Sequence, residues 1–377
     1  MTHPIARSIM LAALAAGAAW AQALTITTPS PLPTATIGTA YIQILAASGG
    51  TPPYNWAVIA GSPPDGLSLF PAGAILGAPL STAVTSTFTV QVTDSATPTP
   101  NTFSSPFTLP VALAVTTASP LPAGTVGVNY SQTLTATGGS GTYTWAVTVG
   151  TLPAGLTLTA ATGLISGQPT TAGTSNFTIQ ATDTNQVTAT QAFVLTINPA
   201  LVISTTSPLP AGTVGVNYSQ TLTATGGSGT YTWAVTVGTL PAGLTLTAAS
   251  GLIGGQPTTA GTSNFTIQAT DTNGVTATKA VALTINPALV IGTASPLPPG
   301  TVGVNYSQTL TATGGSGTYM WAVTVGTLPA GLTLTTATGL IGGQPTTAAT
   351  SNFTIQATDT NGVTATKAVA LTIDPAL

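Results

Sequence analysis

Trp145, Trp233 and Trp321 occupy the same local sentence, Gly-Thr-Tyr-x-Trp-Ala-Val-Thr-Val-Gly, and successive members lie 88 residues apart. A fixed period of that length means that one supersecondary unit recurs and that each unit builds its core locally. A divergent copy, Pro53-Tyr54-Asn55-Trp56-Ala57-Val58, stands ahead of them, its Trp 89 residues before Trp145. Leu24, Leu113, Leu201 and Leu289 are equivalent first residues, so repeats are expected at 24–112, 113–200, 201–288 and 289–377. Leu377 falls on the first position of a fifth copy, and the chain is expected to be a piece of a longer reading frame.

Within the repeat that opens at Leu113, side chains alternate with the period of a strand. Gln132, Leu134 and Ala136 share one parity and Ser131, Thr133, Thr135 and Thr137 the other, which predicts one half-buried strand over 130–137. Gly138-Gly139-Ser140-Gly141 turns the chain into a second strand that carries Trp145 and Val147 inward. Phe177, Ile179 and Ala181 alternate with Thr178, Gln180 and Thr182 before a turn at Asp183, which reads Asn273-Gly274 and Asn361-Gly362 in later copies. About seven short strands, frequent turn signals and no helical periodicity predict an all-β chain of four tandem Ig-like β-sandwiches. With no cysteine in the chain, packing around the Trp must replace a disulfide between the sheets.

Composition removes several functions. Residues 1–23 read as a signal peptide, with Arg7 before an apolar run from Ile9 to Trp20 and a small-x-small site at Ala21-Gln22-Ala23. That run is shorter than the roughly 20 residues a membrane helix needs, and no membrane span is expected elsewhere. The mature chain would hold two lysines, Lys279 and Lys367, against six aspartates, with no Glu, Arg or His. Two scattered cations cannot displace counterions from phosphates, which excludes nucleic acid, and they cannot hold a polybasic membrane contact. Without His, Cys, Glu or Arg, neither a nucleophilic triad nor a transition-metal site can be assembled, so an enzyme is not expected. Asp65 and Asp94, a carboxylate pair within repeat one, read as two turn residues.

The string Leu-Pro-Ala-Gly-Leu-Thr-Leu, then Gly-Leu-Ile-x-Gly-Gln-Pro-Thr-Thr-Ala and Asn-Phe-Thr-Ile-Gln-Ala-Thr-Asp-Thr-Asn, resembles the bacterial Ig domains of the He-PIG type. The match is specific over Leu152 to Asp183, Leu240 to Asp271 and Leu328 to Asp359, and survives in the first copy as Pro64-Asp65-Gly66-Leu67-Ser68-Leu69, Gly77-Ala78-Pro79 and Thr93-Asp94. Such domains are similar to cadherin-like and dystroglycan-type sandwiches. The resemblance implies a secreted or cell-surface, modular, adhesive or spacer role without catalysis, and in cadherin relatives calcium at domain junctions.

Asp183, Asp271 and Asp359 are therefore candidate calcium ligands, against the plainer reading that each carboxylate caps its own turn. No other cofactor is expected. Lys279 and Lys367 fall on the apolar parity of their strand; either an intramolecular link to Asn264 with Asp271 as helper, or a bulge or strand end that frees the ammonium, would account for Lys279. Only the first repeat differs in its loops, which makes Tyr41, Tyr54 and Trp56 the candidate ligand contacts. Expected partners are other extracellular proteins, glycans or neighbouring cells. The alternatives are a carbohydrate- or matrix-binding accessory array of a larger secreted enzyme and a calcium-binding cadherin-like adhesin.

Overall fold

The computed structural model describes residues 22–376, so the expected signal segment lies almost wholly outside it. Among the described residues every regular element is a β-strand. The chain divides into two compact units, the first holding repeat one and most of repeat two, the second holding Thr125–Val128 of repeat two together with the chain from Asn198 onward, which contains repeats three and four.

Repeat one contains β1 (Thr25–Ile26), β2 (Tyr41–Ile44), β3 (Ala47–Ser48), β4 (Asn55–Gly61), β5 (Leu67–Leu69), β6 (Ala74–Gly77), β7 (Ser86–Thr93) and β8 (Thr102–Leu109). Repeat two contains β9 (Ala114–Val115), β10 (Gly124–Thr125), β11 (Tyr130–Thr133), β12 (Ala136–Thr137), β13 (Tyr143–Gly150), β14 (Leu156–Thr159), β15 (Leu164–Gly167), β16 (Gly173–Asp183) and β17 (Thr188–Asn198). One sheet runs β10-β17-β16-β13 and the other β11-β15-β14, with β9 and β12 paired beside it. The same order recurs in repeats three and four. Repeat one keeps β4-β7-β8 and replaces the short parallel strand with a single bridge, Ala35 to Val111.

The expected strand over 130–137 is two strands. Its first half pairs with β15 and its second with β9, because the chain leaves one partner at Leu134, whose N–H donates to the Gly163 carbonyl. The parity of its side chains is as expected, with Tyr130 and Leu134 buried and Ser131 and Thr133 exposed.

Phe177, Ile179 and Ala181 point inward from β16 and meet Phe193, Leu195 and Ile197 from β17, all at most 3% exposed. Trp145 closes this core from β13 at 5% exposure, with Tyr143 edge-on at a ring separation of 6.3 Å. The loop over the indole depends on Gly163. Its φ is +68°, and a Cβ there would come 2.8 Å from the Trp145 ring nitrogen. Gly73, Gly251 and Gly339 repeat this approach against Trp56, Trp233 and Trp321. The local sentence that marks the repeat therefore records a core ring and, less visibly in sequence, the glycine that lies on it.

Two devices blunt the free sheet edges. β13 lies at an edge of its sheet, and its register slips between Val147 and Val149, as it does at the equivalent place in the other three repeats. Such a bulge interrupts the unpaired hydrogen-bonding row that another strand would use. At the edge strand β11, the Gln132 side-chain amide donates to the Thr133 carbonyl at 2.9 Å. Gln43, Gln220 and Gln308 make the same contact in their repeats.

Gly251→Ala is expected to destabilise repeat three by about 1–3 kcal/mol from backbone strain alone, with the indole clash added to it. Thr278→Ala, at an exposed strand position, is expected to stay within about 0.5 kcal/mol of the parent. Denaturant unfolding followed on the Trp233 indole resonance separates the two.

Candidate functional site

One pole of every repeat is organised by a buried aspartate: Asp94, Asp183, Asp271 and Asp359 are 3–5% exposed. In repeat two, Asp183 ends β16, and its Oδ1 accepts the backbone N–H groups of Asn185 and Val187 at 2.9 and 2.8 Å. Its Oδ2 accepts the Ser140 N–H from the glycine-rich loop at 2.9 Å. Asp271 takes Asn273, Val275 and Ser228 in the same way, and Asp359 takes Asn361, Val363 and Ser316. One carboxylate thus joins a hairpin turn to a loop 43 residues away in sequence.

The loop continues the connection towards the segment that precedes each repeat. Gly139 N–H donates to the Val111 carbonyl at 2.9 Å, Gly227 to Pro199 at 2.8 Å and Gly315 to Pro287 at 2.8 Å. Gly139 has a φ of +55° and packs so close to the carboxylate that a Cβ would lie 2.6 Å from Asp183 Oδ2. A tyrosine seals the other flank: Tyr143, Tyr231 and Tyr319 donate their hydroxyls to the carbonyls of Gly138, Gly226 and Gly314.

This donor set does not fit calcium. The ion takes six to eight oxygens, usually including several carboxylates. Each of these poles supplies one carboxylate, with both oxygens already accepting N–H groups. Among the described residues no three of His, Cys, Asp or Glu gather into a metal-binding group. Asp183, Asp271 and Asp359 are placed as turn and loop caps.

Asp94 shows how strongly the cap favours the charged form. The Asn101 side-chain amide donates to Oδ2 at 2.9 Å, and the N–H groups of Asn101, Thr51 and Ala96 add to it. These bonds, led by the Asn101 side chain, outweigh burial and hold the carboxyl at about 2, below its ordinary 3.8.

The three aromatic candidates of repeat one are held by the fold. Trp56 is 5% exposed in the core and Tyr41 8% exposed, with its hydroxyl donating to the Pro33 carbonyl. Tyr54 is half-buried and seals the pole by donating to the Gly49 carbonyl at 2.6 Å. Tyr130 and Tyr218, the counterparts of Tyr41, donate to Pro122 and Pro210, and burial pushes both phenols up to about 12. What repeat one exposes instead are the neighbours of opposite parity, Ile42 at 71% and Ile44 at 66%. The signal for them was a comparison between repeats, since Ser131 and Thr133 stand at those positions in repeat two.

The remaining candidates are not brought together. Asp65 accepts a hydrogen bond from Thr82 in the loop before β5, whereas Asp94 lies beyond the opposite end of β4 and β7. Lys279 sits in unbroken register opposite Ile267 and donates from Nζ to the Ile203 carbonyl at 3.4 Å, so no bulge releases it. Gln191, at the same position in repeat two, donates instead to the Thr117 carbonyl, two residues beyond the counterpart of Ile203. The alternative, a link to Asn264 with Asp271 as helper, is excluded by distance. Asn264 and Asp271 are seven residues apart along one strand, about 23 Å at 3.3 Å per residue, so one lysine cannot engage both.

Four sandwiches in series, each filled by a Trp and capped by its own carboxylate, define a tandem array of Ig-like modules. The chain belongs to the He_PIG family, described as Putative Ig domain, which matches residues 23–112, 110–198, 200–286 and 288–374. It is also similar to the serine-rich adhesin for platelets of Staphylococcus aureus: 36% identity over 155 residues in strain MSSA476, covering 40% of this chain and 7% of that protein. In strain MRSA252 the same identity covers 40% of this chain and 11% of the adhesin. Among solved structures, Sidekick-1 immunoglobulin domains 1-5 are similar over 94% of this chain and 81% of theirs, at 14% identity and a TM-score of 0.35. Protocadherin Gamma B2 cadherin domains 3-6 are similar over 94% of this chain and 100% of theirs, at 15% identity and a TM-score of 0.28.

Asp271→Ala leaves three backbone N–H groups without their acceptor and is expected to cost repeat three about 2–4 kcal/mol, measured by urea unfolding. For Asp94 the sign follows from a folded value below the unfolded one: the stabilisation is complete above about pH 4 and is lost as pH falls towards 2. Asn101→Ala is therefore expected to weaken repeat one at pH 6 and hardly at all at pH 2, as read on the Trp56 indole resonance during urea titration. A deficit that stays constant across that range would contradict the assignment.

Proposed function

We propose that the chain is a non-catalytic structural and adhesive array, secreted or held at the cell surface, whose repeats serve as pre-formed modules. The observation that carries this reading is the closed pole. Each repeat binds its own turn, its glycine loop and the segment before it through hydrogen bonds it makes itself, so it needs neither disulfide nor metal to be complete. The similarity to part of a staphylococcal adhesin supports the same class. So does the scarcity of charge, since two lysines on separate repeats leave little for an ionic ligand to engage. No helix among the described residues is long and apolar enough to cross a membrane. The partners that fit are extracellular proteins, glycans or neighbouring cells, engaged repeatedly and with avidity.

A second reading, a carbohydrate- or matrix-binding accessory array, is favoured by a shallow cleft that recurs in repeats three and four. Ser207, Asn264, Thr266 and Ala282 line it in one, and Ser295, Asn352, Thr354 and Ala370 in the other, each with a volume near 300 Å³. Reproducible binding on a glycan array that is lost in Asn264→Ala/Asn352→Ala would favour this reading over a pure spacer. Binding lost instead on changing Tyr54 would return the contact to repeat one.

If the modules are self-sufficient, melting of the purified chain is expected to be the same in chelator and in millimolar calcium, because a ligand that binds only the native state must raise the midpoint. Fractionation of the producing cells is expected to place the chain in the medium or at the surface. Retention in the cytoplasm would overturn the localisation.

A further inference from the structure

The outer face of the smaller sheet in repeat one is apolar where its siblings are polar. The register of β2, β6 and β5 sets Ile42 beside Leu76 and Ser68, and Ile44 beside Ala74. Phe70 completes the second row, its N–H donating to the Ala74 carbonyl. Five of these six outward positions are apolar, and Ile42, Ile44 and Phe70 are 71%, 66% and 47% exposed. In repeat two the corresponding rows are Ser131, Ser166 and Thr157, then Thr133, Leu164 and Thr159. In repeat three they are Ser219, Gly254 and Thr245, then Thr221, Leu252 and Thr247. One apolar position of six in the siblings against five in repeat one is a patch rather than a scattering of single exposed residues.

We infer that this face is a docking surface for a second copy of the chain, paired face to face through repeat one about a two-fold axis. The electrostatics favour that occupant. β2, β5 and β6 carry no charged residue, so a facing copy brings none to be stripped of water, whereas an ordinary charged surface would. Few charges elsewhere on the chain oppose the approach of its twin. Gln43, folded onto the Ile44 carbonyl, blocks the adjoining strand edge, which leaves stacking of faces rather than addition of strands.

The inference names a partner for the adhesive reading and rests on that reading for its biological setting. Sedimentation equilibrium of the purified chain over about 1–200 µM tests the face alone. A reversible dimer is expected, and Ile42→Ser/Ile44→Thr/Phe70→Thr is expected to weaken it at least about tenfold. These are the residues repeats two and three carry at the same positions, so the fold is kept, and an unchanged unfolding midpoint on the Trp56 resonance verifies it. A chain monomeric throughout the range, or a dimer equally strong in the triple variant, overturns the proposal. So does a monomeric chain that binds neutral lipid vesicles only when the three residues are intact, which would give the face to another occupant. A monomeric chain found at the cell surface would sink the pairing and leave the adhesive reading standing.

Discussion

A single buried carboxylate at the pole of each repeat carries the connections on which the module depends. Asp271 illustrates its reach, since it terminates one strand, closes the following hairpin through Asn273 and Val275, and holds the Ser228 loop. Gly227 in that loop is bonded in turn to Pro199 ahead of the repeat. A buried charge is tolerated only when hydrogen bonds replace its lost water, and backbone N–H groups do so without any mobile cation. The same geometry explains why the loop is rich in glycine: the backbone itself must lie against the carboxylate, with no room for a Cβ.

The near absence of charge has a second consequence. A sheet protein with few lysines lacks the commonest protection against edge-to-edge pairing. Here the protection is geometric. A bulge interrupts one edge strand, and a glutamine amide occupies a carbonyl of another, in all four repeats. Against that background the exposed Ile42 and Ile44 stand out, because they lie beside a capped edge yet leave the sheet face apolar.

The periodic Trp was enough to establish the repeat, and side-chain alternation between frequent turn signals was enough for the all-β class, since strand parity follows directly from alternation. Parity also placed Trp145 and Val147 inward correctly. What alternation could not reveal was partner choice. The strand expected over 130–137 changes partners at Leu134, and the two-residue strand Gly124–Thr125 has too little length to leave a pattern. In repeat one the conspicuous aromatic residues drew attention to Tyr41 and Trp56, which the same parity rule sends into the core, while the less conspicuous isoleucines between inward positions face solvent. The aspartates were legible as turn residues, but their bonds to Ser140, Ser228 and Ser316 join loops 43 residues apart and exist only once the sheets have formed.

Native-state amide hydrogen exchange in calcium-free buffer tests the closed pole most directly. The N–H groups of Ser228, Asn273 and Val275, and of their counterparts Ser316, Asn361 and Val363, lie in turns and loops that would ordinarily exchange fast. The account expects them to be protected to the same degree as the neighbouring sheet, with no change when calcium is added. Rapid exchange at these six groups, slowed only by calcium, would contradict it.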